Sequence, residues 1–134
     1  MASSSAQTGP ALSKVLVVED EPGLRFIISD VLVNDHGLTV VEASSGDQAL
    51  DVLEHDPAIG CVFTDVRMPG TLDGIALSKR VLRDHPGVKV LITSGHFAVS
   101  EGLGSVPFVA KPYDLTQVAG MIQQMIDSLR PGNA

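Results

Sequence analysis

A continuous apolar run in the middle of the chain, Ile59-Gly-Cys-Val-Phe-Thr64, leads directly into Asp65. A run this short, without alternating polar residues, favours a strand that is covered on both faces, as in a parallel sheet. Two similar runs lie on either side of it in the chain, Val15-Leu-Val-Val18 and Val88-Lys-Val-Leu-Ile92. Together the three runs predict the buried centre of a parallel sheet.

Helical patterns separate these strands along the chain. Apolar residues recur every three or four positions in four segments, Leu24–Leu32, Gly46–Asp56, Ile75–Leu82 and Leu115–Leu129. Two weaker runs, Leu38–Val41 and Val106–Ala110, complete a set of five strands, and Pro107 favours a sheet edge for the last one. Strict alternation of strands and helices predicts an α/β fold with helices on both faces of the sheet.

The chain has the size and composition of one globular domain. It contains 134 residues, of which 44% are hydrophobic, enough for an aliphatic core and too many for general disorder. We predict one folded domain over residues 13–130, a flexible N-terminal tail at 1–12 and a short C-terminal tail at 131–134.

Charge and cysteine content argue against several classes of function. The formal net charge of −7 disfavours a nucleic-acid-binding surface, which needs Lys and Arg to neutralise phosphates. The single cysteine, Cys61, lies in an apolar strand and is expected to be a buried, unreactive thiol. The sequence shows neither a secretion signal nor a stretch suited to a membrane, so we expect a cytoplasmic protein.

Polar residues with complementary chemistry follow four of the five predicted strands. In an open parallel sheet the functional site lies beyond the carboxyl ends of the strands. The residues at these positions are Glu19, Asp20, Asp65, Thr93, Ser94 and Lys111. Three carboxylates in one crevice repel one another, and a hard divalent cation such as Mg²⁺ relieves that repulsion. Asp65 beside such a cation is predicted to be a nucleophile towards phosphorus, with Lys111 and a hydroxyl contacting the phosphoryl oxygens.

These segments resemble the receiver domains of response regulators in two-component signalling, over nearly all of residues 14–129. The matching motifs are Val15-Leu-Val-Val-Glu-Asp20, Phe63-Thr-Asp-Val-Arg-Met-Pro-Gly70 with Leu72-Asp-Gly74, Ile92-Thr-Ser-Gly95, and Ala110-Lys-Pro-Tyr113. Each motif is weak alone, but their order and their positions at strand ends are specific. The resemblance implies a flavodoxin-like (βα)5 fold, a doubly wound five-stranded sheet in the order 2-1-3-4-5.

The resemblance also implies roles for the acidic residues. Asp65 corresponds to the phosphoacceptor. Glu19, Asp20, Asp65 and the backbone carbonyl of Arg67 correspond to the ligands of Mg²⁺ (or Mn²⁺), with Asp20 the more direct ligand of the first two. The alternatives are a loop-capping role for Asp65 and plain solvated acids at positions 19 and 20.

The donors are assigned in the same way. Ser94 corresponds to the family's conserved hydroxyl because a small residue, Gly95, follows it, and Thr93 is the runner-up. Lys111 corresponds to the invariant lysine, and the Lys111–Pro112 bond is expected to be cis. The four histidines lack metal-ligand spacing and are expected at the surface, namely His36, His55, His85 and His96. His96 follows the hydroxyl pair, where it would affect the access of water to a phosphoryl group.

The sequence departs from the family between Ser94 and Lys111. This stretch is short for a loop, a full helix and a turn, and it contains three glycines, each costing about 1 kcal/mol in a helix. We therefore predict a shortened or irregular fourth helix within 96–105. Phe108 stands where the family often has a tyrosine, so a latch that uses a tyrosine hydroxyl is absent.

These features predict a phosphorylation-controlled signalling module that acts through protein–protein contact. A histidine kinase or phosphotransfer protein would donate the phosphoryl group, and a downstream protein would be the target. The chain is not expected to be a classical enzyme; at most it would catalyse its own phosphorylation and dephosphorylation. The alternatives are an adaptor without phosphoryl chemistry, a receiver fragment of a larger hybrid kinase, and a small phosphatase. The phosphatase is disfavoured because Arg67 stands where a general acid would be required.

Overall fold

Parallel strands and helices alternate along the residues that the computed structural model describes, which are 11–68, 70, 72–95 and 106–130. The strands are β1 (Lys14–Val18), β2 (Thr39–Ala43), β3 (Ile59–Asp65), β4 (Lys89–Ser94) and β5 (Phe108–Ala110). The helices are α1 (Pro22–Asn34), α2 (Gly46–His55), α3 (Gly74–Asp84) and α4 (Leu115–Asp127). Every neighbouring pair of strands is parallel, and their order is β2-β1-β3-β4-β5. The predicted fold class and strand order are confirmed.

Strand β4 extends two residues beyond its apolar run. The apolar pattern ends at Ile92, but the strand continues through Thr93 and Ser94. Thr93 pairs with Asp65 on β3, and Ser94 pairs with Ala110 on β5. Backbone pairing on both sides therefore extends a strand that hydrophobicity alone ends too early.

Some predictions fall on residues outside the described ranges. These are the fourth helix within 96–105, most of the tail at 1–12, and the tail at 131–134. Among the described helices, none is both long and apolar enough to cross a membrane.

The two faces of the sheet form two apolar layers. Leu16, Val62 and Ile92 lie on the face covered by α2 and α3. Val17, Phe63 and Leu91 lie on the opposite face, covered by α1 and α4, and Cys61 is fully buried there. Burial raises the pKa of the Cys61 thiol to about 12, as expected for a thiol that serves as a small apolar side chain. Strands buried on both faces hold their carboxyl ends rigidly in one row.

Helix α1 exposes more apolar surface than its pattern suggests. Ile28 and Leu32 are buried, but Ile27 belongs to the same pattern and is 51% exposed. Adjacent helical residues lie about 100° apart around the axis, so Ile27 turns away when Ile28 points into the core. Phe26 and Val33 are also exposed on this helix. The outer face of α1 is therefore partly apolar.

The start of α4 offers a test of local capping. The Asp114 carboxylate accepts hydrogen bonds from the backbone N–H groups of Thr116 at 2.9 Å and Gln117 at 3.3 Å, so Asp114 caps the helix. We expect Asp114→Ala to lower the free energy of unfolding by about 1 kcal/mol in urea titrations. Asp114→Asn keeps an acceptor and serves as the control; equal losses in both variants would contradict the capping role.

Candidate functional site

The carboxyl ends of β1 and β3 bring three acidic side chains together. Glu19 and Asp20 follow β1, and Asp65 ends the neighbouring β3. One carboxylate oxygen of each residue lies within 4.8 Å of those of the other two. Hard oxygen ligands at this spacing suit a divalent cation such as Mg²⁺.

Glu19 shows the electrostatic cost of this cluster most clearly. Its side chain is buried, and one carboxylate oxygen accepts a hydrogen bond from the backbone N–H of Glu21 at 3.1 Å. Burial raises the pKa of Glu19 to about 7, and the negative charge of Asp65 adds to the increase. The Glu21 hydrogen bond and the Lys111 charge act in the opposite direction. The surroundings therefore do not fully stabilise the ionised form of all three carboxylates. A bound cation would supply the missing positive charge.

Lys111 brings the positive charge of the site to Asp65. Its ammonium Nζ lies 2.8 Å from Oδ2 of Asp65, and its backbone N–H donates to the carbonyl of Ser94 at 2.9 Å. Partial burial alone would lower the pKa of Lys111. The hydrogen bond and charge of Asp65, with the charges of Glu19 and Asp20, raise that pKa instead. Lys111 is therefore held as a cation directly beside the carboxylate.

The two candidate hydroxyls lie side by side at the end of β4. Thr93 and Ser94 are both buried, and their side chains point to opposite faces because strand residues alternate. Thr93 pairs in register with Asp65, and within the described part of the chain its Oγ1 has no hydrogen-bond partner. Both hydroxyls therefore lie at the carboxyl end of β4, next to β3 and β5.

The loop after β3 forms the open side of the site. The backbone N–H of Arg67 lies 3.4 Å from Oδ1 of Asp65, and the Arg67 side chain is exposed. A depression of about 540 Å³ opens here, lined by Asp20, Val66, Arg67, Met68 and Asp73. The role of the Arg67 carbonyl stays a prediction.

Three residues at the site were not assigned a role from the sequence. A Cβ atom on Gly74 would lie 2.0 Å from the backbone oxygen of Asp65, so only glycine fits there. Arg25 donates from Nη1 to the backbone carbonyl of Glu19 at 2.7 Å. Tyr113 packs edge-on against Phe63, with ring centroids 6.0 Å apart. Gly74 and Tyr113 lie inside motifs of the family resemblance, whereas Arg25 lies outside them.

The histidines lie outside the acidic cluster wherever the structure describes them. His55 is exposed, as predicted. His36 and His85 are half-buried, so they lie only partly at the surface. His36 follows the end of α1, and its Nδ1 hydrogen-bonds to Oε1 of Gln123 on α4. His96 lies outside the described residues.

The raised pKa of Glu19 makes stability depend on pH. Between the ordinary value of 4.5 and about 7, the folded protein keeps a proton on Glu19 that the unfolded chain releases. The free energy of unfolding of metal-free protein should therefore fall by roughly 2–3 kcal/mol as pH rises through this window. Mg²⁺ favours the ionised carboxylate and should restore stability at the upper end.

Urea titrations across this window, with a chelator or with Mg²⁺, measure the effect. Glu19→Gln is the control, because it removes the titrating group while keeping its size. A pH dependence that is unchanged in Glu19→Gln would assign the effect to other groups.

Known proteins with similar sequences identify the family of this chain. The chain belongs to the response regulator receiver domain family, whose sequence model matches residues 15–123. Sporulation initiation phosphotransferase F of Bacillus subtilis (strain 168) is 28% identical over 118 residues, and the match covers 84% of this chain and 93% of that protein. The transcriptional regulatory protein FixJ of Bradyrhizobium diazoefficiens is 33% identical over 122 residues, covering 87% of this chain but 58% of that protein.

A solved structure with a similar fold is also a receiver domain. The receiver domain of the hybrid histidine kinase CckA aligns with a TM-score of 0.69 at 32% identity, covering 84% of this chain and 98% of that one. The relatives thus include a protein that this chain spans almost completely and a longer regulator of which it spans little more than half. The chain is a receiver domain of two-component or phosphorelay signalling, with an acidic pocket formed by Glu19, Asp20 and Asp65.

Proposed function

We propose that Asp65 accepts a phosphoryl group in a reaction that depends on Mg²⁺ (or Mn²⁺), and that this modification controls binding to another protein. The ligands would be Glu19, Asp20, Asp65 and the backbone carbonyl of Arg67. The observation that carries the proposal is the convergence of three carboxylates and Lys111 from separate strand ends. A bound cation would supply charge neutralisation for the carboxylates and for the incoming phosphoryl oxygens.

The residues of the chain account for the remaining requirements of the transfer. A carboxylate oxygen of Asp65 forms the new bond to phosphorus, while the bond between phosphorus and the leaving atom of the donor breaks. Lys111 is already within hydrogen-bonding distance of Asp65 and would move its charge to a phosphoryl oxygen. Ser94, or Thr93 as the runner-up, would donate a hydroxyl hydrogen bond to another oxygen.

The partners follow from this chemistry and from the similar proteins. A histidine kinase or a phosphotransfer protein is the proposed donor, and a downstream protein is the proposed target. The exposed apolar side chains of Phe26 and Ile27, in the helix that follows the acid pair, support recognition by proteins. Attachment of this receiver to a larger regulator or hybrid kinase remains the alternative arrangement, since FixJ is longer than the match. A cytoplasmic location stays a prediction.

Intact mass spectrometry tests the proposal directly. The protein is incubated with a small acyl phosphate, once with Mg²⁺ and once with a chelator. We expect a gain of one phosphoryl group in the presence of Mg²⁺ alone. No gain under either condition would favour an adaptor without phosphoryl chemistry, and steady turnover of unrelated phosphoesters would favour a phosphatase.

A further inference from the structure

Arg25 in α1 joins three separate parts of the molecule. Its Nη1 donates to the backbone carbonyl of Glu19 at 2.7 Å, and its Nε lies 3.0 Å from Oε1 of Glu42 on β2. The Arg25 side chain is 19% exposed, against 44% for Glu42. One largely buried guanidinium therefore links the helix, the loop that carries the acid pair, and the neighbouring strand.

The bond to Glu19 acts on the peptide unit that carries both metal-binding acids. The Glu19 carbonyl belongs to the peptide bond between Glu19 and Asp20. Because a peptide unit is planar and rigid, fixing its oxygen fixes the plane that holds the Cα atoms of both residues. The directions in which both carboxylates leave the backbone are thereby restricted.

The other described contacts of this loop hold groups other than the Glu19 carbonyl. The N-cap of α1, Glu21, makes no side-chain capping bond among the described residues, and the first turn of the helix begins with Pro22. The Glu19 backbone N–H donates to the carbonyl of Ala43 on β2 at 3.0 Å, and the backbone N–H of Glu21 donates to a carboxylate oxygen of Glu19 at 3.1 Å. Arg25 supplies the contact to the Glu19 carbonyl itself.

We propose that Arg25 is a positioning residue that orients Glu19 and Asp20 for cation binding. The inference rests on the proposed function, because it assumes that the acidic cluster takes up Mg²⁺. The geometry requires arginine, since one planar group reaches two acceptors in different directions, whereas the ammonium of lysine is a single point charge.

Metal affinity is the property that separates this role from a merely structural one. We would measure binding of Mn²⁺ by electron paramagnetic resonance, with Mg²⁺ as competitor, on the wild-type chain and on Arg25→Met. The expected result is about tenfold weaker binding in Arg25→Met, the usual size for loss of a group that orients a metal ligand. Lys14→Met is the matched control, since it removes an ion pair of the same 3.0 Å length, between Lys14 and Asp56, at the opposite end of β1.

Each outcome of this experiment decides something. Binding by Arg25→Met within twofold of wild type would overturn the inference, and so would equal weakening in Lys14→Met. If Arg25→Met does not fold, Arg25→Lys takes its place; it should bind several-fold more weakly than wild type, and wild-type affinity in that variant would also overturn the inference. Absence of binding by the wild-type chain would overturn the proposed function, and the inference with it.

Discussion

Asp65→Asn is expected to abolish acceptance of a phosphoryl group. The substitution keeps the size of the side chain but replaces the attacking carboxylate oxygen by an amide, which is a poor nucleophile. It also removes one charge from the acidic cluster, where the carboxylate oxygens lie within 4.8 Å of one another. Intact mass after incubation with acyl phosphate and Mg²⁺ should show an unmodified chain.

The control for this variant is Asp84→Asn. Asp84 ends α3, where its carboxylate pairs with Arg83 at 2.8 Å in an exposed position. This variant loses the same charge and should gain one phosphoryl group, as the wild type does. A phosphoryl group that persists in Asp65→Asn would place the acceptor at another residue.

Gly74→Ala is expected to produce the largest loss of stability among the single-methyl additions considered. The added Cβ would lie 2.0 Å from the backbone oxygen of Asp65 and 2.8 Å from the Cα of Val66. The obstructing atoms are backbone of a fully buried strand and the loop that leaves it, so they cannot rotate away. The free energy of unfolding should fall by roughly 3 kcal/mol or more, as in severe overpacking.

Gly120→Ala in α4 is the matched control, measured in the same urea titrations. No described heavy atom lies within 4 Å of the Cβ that it would add. Alanine in a helix interior should stabilise this variant by about 1 kcal/mol. The strain in Gly74→Ala falls on Asp65, so its phosphorylation should also slow. Similar stability changes in the two variants would contradict the proposed crowding at Gly74.

Hydrophobic pattern was sufficient to predict the fold class, whereas the strand order came from the resemblance to receiver domains. The run from Ile59 to Thr64 is buried along its whole length, and a strand of that kind occurs where helices cover both faces of a parallel sheet. A second rule, that functional sites lie beyond the carboxyl ends of parallel strands, placed the acid pair, Asp65 and Lys111 together. The structure brings them together there. These predictions succeeded because apolar runs mark buried strands and because parallel strands all end on the same side of the sheet.

Contacts made by long side chains were not predictable in the same way. Arg25 reaches the carbonyl of a residue six positions earlier in the chain and a carboxylate on a different strand, and no sequence spacing specifies that pair. Ser94 and Thr93 remain unresolved as candidates for a related reason. The sequence places both hydroxyls after the apolar run of β4 but does not specify which face of the strand a phosphoryl oxygen will approach.

The packing of Tyr113 has a practical consequence for following this protein in solution. It is the only tyrosine of the chain, which lacks tryptophan, so ultraviolet emission comes almost entirely from one ring. That ring stands edge-on to Phe63, and burial together with the charges of Glu19 and Asp65 raises the pKa of Tyr113 to about 12. Its fluorescence should therefore respond to cation uptake without any attached dye, giving a native optical signal for titrations and stopped-flow kinetics.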